Sequence, residues 1–168
     1  MAIYTKTGDK GESRVFDPKT KKLVNISKSS KIINTIGAID ELNSLLGVVG
    51  GLTDIQEDLF TINAILAGTR LHFGKTKAGK LEKEIDRFEK ILPVQKNFIY
   101  YGGDPKAALL FFARSVARRA ERSLVSLSKE EKISEAILIF FNRLSDYLFI
   151  KARDVNYKLG FKEKAWRR

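Results

Sequence analysis

The chain has 168 residues, with 31 Lys and Arg against 20 Asp and Glu, a formal net charge of +11 and 43% hydrophobic residues. That length accommodates one domain with a real core and leaves little room for two, and so basic a balance favours polyanionic partners: nucleotides, nucleic acid or acidic membrane. The lack of cysteine excludes disulfides and thiolate chemistry, and a single histidine, His72, argues against a Ser-His-Asp triad or a histidine metal site.

The opening Met1-Ala2-Ile3-Tyr4-Thr5-Lys6 lacks the apolar segment of a secretion signal. No stretch reads as long enough to span a membrane, so a soluble, cytoplasmic protein is expected. Residues 1–30 are rich in Gly, Lys, Ser and Thr and read as an extended or looped arm. Apolar residues then recur at helical spacing, which predicts helices over about 31–50, 53–69, 78–91, 105–128 and 131–159. Gly50-Gly51, the Gly68 to Gly79 region and Gly102-Gly103-Asp104-Pro105 punctuate them. Pro105 suits a first helical turn, with Asp104 as its cap. No period-two alternation extends far enough to argue for a sheet. Short loops between long helices point to an all-α class, an antiparallel five-helix bundle. The organisation expected is a single domain over 1–168: an arm at 1–30, a bundle at 31–159 and a tail at 160–168.

The fourth helix carries the densest charge. With Arg114 at zero and about 100° per residue, Arg118 falls near ~40° and Glu121 near about −20°. Ala113, Val116, Ala117, Ala120, Leu124 and Leu127 gather as a core face about 100° away. Arg119, near about 140°, points to solvent. Guanidinium groups at such a seam suit a triphosphate. Phe111 and Phe112 lie on the arginine side, where a lone bundle would be polar, which suggests contact with another subunit. On the last helix Ile137, Phe141, Leu144, Leu148, Ala152 and Val155 form the core stripe. Phe140, Tyr147 and Ile150 lie elsewhere, as on a helix packed between neighbours or facing another subunit.

Three further constellations could carry chemistry. Thr5-Lys6-Thr7-Gly8-Asp9-Lys10-Gly11-Glu12-Ser13 combines turn-forming glycines, cations and hydroxyl donors, a composition that cradles phosphates or simply makes a surface turn. No Gly-Lys-Ser/Thr closes it as in a P-loop. In the first helix, Asp40, Asn43, Ser44 and Gly47 form a small polar face opposite Leu42, Leu45 and Leu46. Asp40 there could pair an arginine such as Arg114, or the face could simply be solvated. In the last helix Asn142, Asp146, Phe149 and Arg153 share one stripe. Asn142 could read a ribose or base edge, whereas Asp146 reads better as part of a buried network between helices.

In register, these pieces resemble the corrinoid adenosyltransferases of the PduO type. Thr5 to Gly11 matches TKTGDKG, and Gly37 to Ser44 matches G-x-x-DELNS. Lys28 matches the lysine of K-D-D, with Ser29-Ser30 in place of the acids. Leu81 to Asp86 resembles LE-x-x-ID, Phe98 with Gly102-Gly103 resembles F-x-x-PGG, Arg114 to Arg122 matches R-x-x-x-RRAER, and Asn142 to Asp146 matches NRLSD. Two further positions depart from the pattern: Tyr101 stands for the proline before the glycine pair, and Phe111 for the histidine of LH-x-AR.

The resemblance implies a five-helix, ferritin-like homotrimer with active sites between subunits. It implies transfer of the 5′-deoxyadenosyl group of ATP to cobalt(I) of a reduced corrinoid, with release of triphosphate. Cobalt is itself the nucleophile, so the protein positions and stabilises charge. Mg²⁺ would be bound mainly through the ATP phosphates, with no metal site of the chain's own. Thr5, Lys6, Thr7, Gly8, Asp9, Lys10, Gly11, Ser13 and Lys28 would hold the triphosphate. Arg118, Glu121 and their neighbours Arg119 and Arg122 would continue the ATP site, and Asn142 would contact the nucleoside. Arg114 would pair with Asp40 of the adjacent subunit. Phe98 would close the lower corrin face, with Phe111 on the corrinoid side. A reductase and a cobalamin-dependent acceptor enzyme would be the protein partners; neither nucleic acid nor membrane would be one. A basic helical nucleic-acid-binding protein, and a non-catalytic ATP sensor on the same bundle, are the competing readings.

Overall fold

The computed structural model describes residue 4, residues 6–17 and residues 19–166, so Thr5 of the arm motif lies outside the described residues. Two segments of the arm pair before the first helix begins. Strand β1 (Glu12–Asp17) runs antiparallel to β2 (Lys22–Ser27), with Ser13 opposite Ile26 and Val15 opposite Val24. These four half-buried residues share one face, because side chains alternate along a strand. The connection is tight: the Asp17 carboxylate accepts from the Lys19 N–H and the Thr20 hydroxyl, each at 2.8 Å. Those two bonds, the backbone one first, hold its carboxyl below the usual range. While the chain remains mostly helical, the hairpin corrects the expectation of no sheet. Its alternation is only two residues deep per strand and is blurred by exposed Leu23 and the flanking lysines.

The hairpin is fixed to the rest of the chain by backbone. Phe16 N–H donates to the Ala67 carbonyl at 2.9 Å. Gly68 follows at φ 99, and a Cβ there would lie 1.7 Å from the Phe16 carbonyl oxygen. Only glycine permits both the dihedral and the approach.

The helices are α1 (Lys31–Val49), α2 (Thr53–Leu66), α3 (Thr76–Glu89), α4 (Pro105–Leu127) and α5 (Glu135–Lys158). They sit within a few residues of the predicted spans. Helix α2 ends earlier, since Gly68 takes a left-handed conformation. Asp104 caps α4 as expected, accepting from Lys106 N–H at 2.8 Å ahead of Pro105. Packing runs in the order α2, α1, α4, α5, α3, with each helix against the next. The predicted α4 core face, from Ala113 to Leu127, is buried throughout.

The extra apolar face of α5 is used within the chain. Phe140 meets Phe73 edge-on at 5.2 Å, and Tyr147 lies 6.5 Å from Phe88. Phe111 corrects a second expectation: it is 2% exposed in its own bundle rather than turned toward another subunit, whereas Phe112 is 55% exposed. Asn43 belongs to the core side as well, buried beneath the polar face assigned to it. By length and composition α1 is apolar enough to cross a membrane, contrary to expectation. Its Ile39, Leu42 and Leu46 are nevertheless wholly buried in the bundle.

The register of α4 against α5 sets which of their residues stand level. Glu121 meets Asn142, and seven residues earlier Arg114 meets Phe149, seven residues later. The two helices are therefore antiparallel, with level positions of constant sum.

Candidate active site

The predicted residues fall into three zones along the bundle. The first is the turn after the N-terminal arm. Gly11 N–H donates to the Gly8 carbonyl at 3.2 Å, closing a loop around Asp9 and Lys10. Lys28 grips that loop twice, through its N–H to the Gly11 carbonyl at 2.8 Å and its Nζ to the Gly8 carbonyl at 2.9 Å. A Cβ at position 8 would press on Lys28 Nζ and the Glu12 carbonyl oxygen at 3.2 Å, so glycine there admits the ammonium. Lys6 and Gly11 both have positive φ, which folds the backbone back on itself. Lys6, Thr7, Asp9 and Lys10 are exposed at the surface, and Ser13 is half-buried on the hairpin.

The second zone is mid-bundle. Glu121 accepts from Asn142 Nδ2 at 3.2 Å, and Asn142 Oδ1 accepts from Arg143 Nη1 at 2.6 Å. Arg143 Nε reaches Glu82 at 2.7 Å. This network fixes the Asn142 amide on the exposed side of α5. Arg119 is ion-paired with Glu41 of α1. Arg118 and Arg122 are at the surface, and among the described residues neither side chain has a hydrogen bond or ion pair. Arg114 lies lower, half-buried, donating to the Tyr101 hydroxyl at 3.1 Å with its guanidinium over the Tyr101 and Phe149 rings. Asp40 is exposed on α1, and within one chain it does not bond Arg114.

The third zone is a cavity of about 1230 Å³ lined by Val94, Phe98, Asp146, Phe149, Arg153 and Trp166 among others. Phe98 is 76% exposed into it. Three of the four residues on the predicted α5 stripe line this cavity, while Asn142 stands one turn above. Asp146 is exposed there rather than buried in a network between helices, a correction that makes it available to a ligand. Phe111 does not line the cavity. It stacks on Tyr101 at 4.8 Å and packs on Phe149 at 5.8 Å, so it supports the wall from behind. Tyr147, nearby on α5, has its phenol pushed up to about 12, chiefly by burial and then by Glu84, and so offers no proton near neutral pH.

Trp166 escaped the sequence reading, which took 160–168 as a tail. The segment returns across the loop before α4: Tyr100 N–H donates to the Lys164 carbonyl at 2.9 Å, and Trp166 N–H to the Phe98 carbonyl at 2.7 Å. Ile99 and Ala165 form the bridge between them. Phe98 and Trp166 are thus cross-strand neighbours on one face. A lone tryptophan amid lysines was the available signal.

Basic and hydroxyl groups, an ordered amide and a wide aromatic-walled cavity together suit a phosphorylated ligand beside a large flat one. Residues 3–155 match the family model described as Cobalamin adenosyltransferase. The chain belongs to that family. A corrinoid adenosyltransferase of Bacillus subtilis (strain 168) is 36% identical, covering 100% of this chain and 93% of the relative. A cobalamin adenosyltransferase of Cupriavidus metallidurans is 34% identical, covering 99% and 94%. Among solved structures, a point variant of the PduO-type ATP:corrinoid adenosyltransferase from Lactobacillus reuteri, complexed with cobalamin and ATP, superposes with a TM-score of 0.91. It shares 34% sequence identity over 99% of this chain and 97% of that one. The adenosyltransferase motifs of the sequence thus occupy the three zones, with the cobalamin adenosyltransferase fold holding them at set levels of the bundle.

Proposed function

We propose that this protein transfers the 5′-deoxyadenosyl group of ATP to cobalt(I) of a reduced corrinoid. The observation that carries it is the junction of zones two and three. Asn142 and Asp146 are four residues apart on α5, about 6 Å along the axis, so a nucleoside held at Asn142 reaches the mouth of the aromatic cavity. In the reaction, the cobalt(I) electron pair forms the Co–C bond to C5′ while the C5′–O bond breaks. The leaving electron pair goes with the triphosphate. Arg118 and Arg122, at the surface beside Glu121, would stabilise that developing charge, with Lys28 and the Gly8 to Gly11 turn holding the far phosphates. Phe98, with Trp166, would cover the lower corrin face and keep out an axial ligand, which eases reduction of cobalt(II). Mg²⁺ would be carried on ATP phosphates held by Lys28 and the Gly8 to Gly11 turn, where it would offset their charge.

We propose that the site forms between subunits of a homotrimer. Lys31 is ion-paired with Glu130, so the arm joins the bundle at the C-terminal end of α4. Arg118 lies nine residues before Leu127, roughly 14 Å back along the helix, and the cavity extends from about that level downward. An arm donated by a neighbouring copy would close that gap, with Asp40 meeting Arg114 across the interface. The deciding experiment mixes protein, ATP, Mg²⁺ and chemically reduced cobalamin and follows the corrinoid spectrum. Conversion to the adenosyl form is expected. ATP binding without conversion would indicate a sensor, and salt-sensitive binding to long polyanions alone a nucleic-acid binder.

A further inference from the structure

We propose that Arg153 and Glu163 form a clamp that positions the aromatic wall of the large cavity, a role that rests on the corrinoid reading of that cavity. Arg153 is 6% exposed on α5. Its Nε donates to Glu163 Oε1 at 2.6 Å, and its Nη2 donates to Glu163 Oε2 at 3.1 Å and to the Pro93 carbonyl at 2.8 Å. One guanidinium thereby joins α5, the loop leading to Phe98 and the segment leading to Trp166. The two-pronged geometry fixes direction as well as distance.

One turn further along α5, Asn156 holds the other end of the same loop. Its Nδ2 donates to the Gly102 carbonyl at 2.8 Å, and its Oδ1 accepts from Asp104 N–H at 2.9 Å. Between these anchors the Phe98 and Trp166 strands pair with each other, and Ile99 packs against the core. The reason a clamp is needed lies beside it. A second cavity of about 410 Å³ shares Leu92, Pro93 and Arg153 with the first and is lined by Tyr157, Phe161 and Glu163. Arg153 thus stands between the two cavities, and its ion pair sets how far the strands stand from α5. Arg153 and Glu163 touch no reacting atom in this scheme; they are positioning residues.

Trp166 is the only tryptophan of the chain, so its fluorescence reports the strand directly. In full-length Glu163→Ala, acrylamide quenching of Trp166 should rise about twofold or more, with helical circular dichroism retained. ATP affinity should stay within about twofold, while the corrinoid KM rises about tenfold and kcat with supplied cobalt(I) changes less. Glu163→Gln, which keeps an acceptor for Arg153, should restore part of both effects, and it carries the test if Glu163→Ala fails to fold. Unchanged quenching in a folded variant overturns the clamp. Released Trp166 with an unchanged corrinoid KM overturns its bearing on the cavity. If the unaltered protein neither binds nor converts corrinoid, the functional reading fails instead, and the quenching comparison still decides whether the ion pair holds the strand.

Discussion

Gly68→Ala should cripple ATP binding without touching the nucleotide. The added Cβ would lie 1.7 Å from the Phe16 carbonyl oxygen and 2.7 Å from its carbonyl carbon, against a practical limit of 3.0 Å. The hairpin must then withdraw by roughly 1.3 Å (3.0 − 1.7) or more. An alanine held at this left-handed φ costs about 1–3 kcal/mol, and the broken Phe16 to Ala67 hydrogen bond about 0.5–1.5 kcal/mol. A two-stranded hairpin is marginal alone, so the strain is relieved by hairpin detachment rather than by unfolding of the helices. Ser13 and Lys28 move with it. Loss of one charge-assisted phosphate contact, about 1.5–3 kcal/mol, weakens ATP binding about 10- to 150-fold. Calorimetric titration with ATP measures this, and hydrogen exchange of the 12–27 amides tests the cause. Affinity within about twofold of the unaltered protein, with the hairpin amides still protected, would refute the argument.

Three other outcomes are expected. Arg118→Ala should lower kcat/KM by at least about tenfold. Arg119→Ala removes a surface pair with Glu41 and should shift stability by about 0–1 kcal/mol with a smaller kinetic effect; equal kinetic losses would misplace the site. Asp40→Ala and Arg114→Ala should each reduce activity, with a double variant costing less than the sum, and light scattering should report a trimer; a monomer at working concentration removes the basis for the pairing. Burial lowers the pKa of Lys151 in the fold. The folded state thus binds fewer protons than the unfolded chain between that lowered pKa and the ordinary 10.5, and this group's penalty fades as pH rises through the window. Lys151→Met should raise Tm at neutral pH by an amount that shrinks toward alkaline pH, and a lower Tm at neutral pH contradicts this.

Much of the helical layout was legible because each helix has a buried face long enough to repeat. The α4 stripe from Ala113 to Leu127 spans several turns, and Asp104-Pro105 marks its start chemically. The hairpin was not legible: Val15, Val24 and Ile26 give too short a pattern, and what holds it is a backbone contact to Gly68 from a distant part of the chain. Phe111 shows the limit of a helical wheel. Its angle put it with the arginines, yet Tyr101 comes over from the preceding loop and buries it.

Sequence alone determined the family motifs, the cationic character and the helical spacing, because these depend on residue type and local period. Tertiary structure alone decided that Asp146 opens onto a cavity and that Trp166 stands beside Phe98. It also decided that Arg153 is held by Glu163 and the Pro93 carbonyl. Each of those facts depends on a contact between segments far apart in the chain, and local spacing carries no information about which distant backbone will arrive to supply the partner.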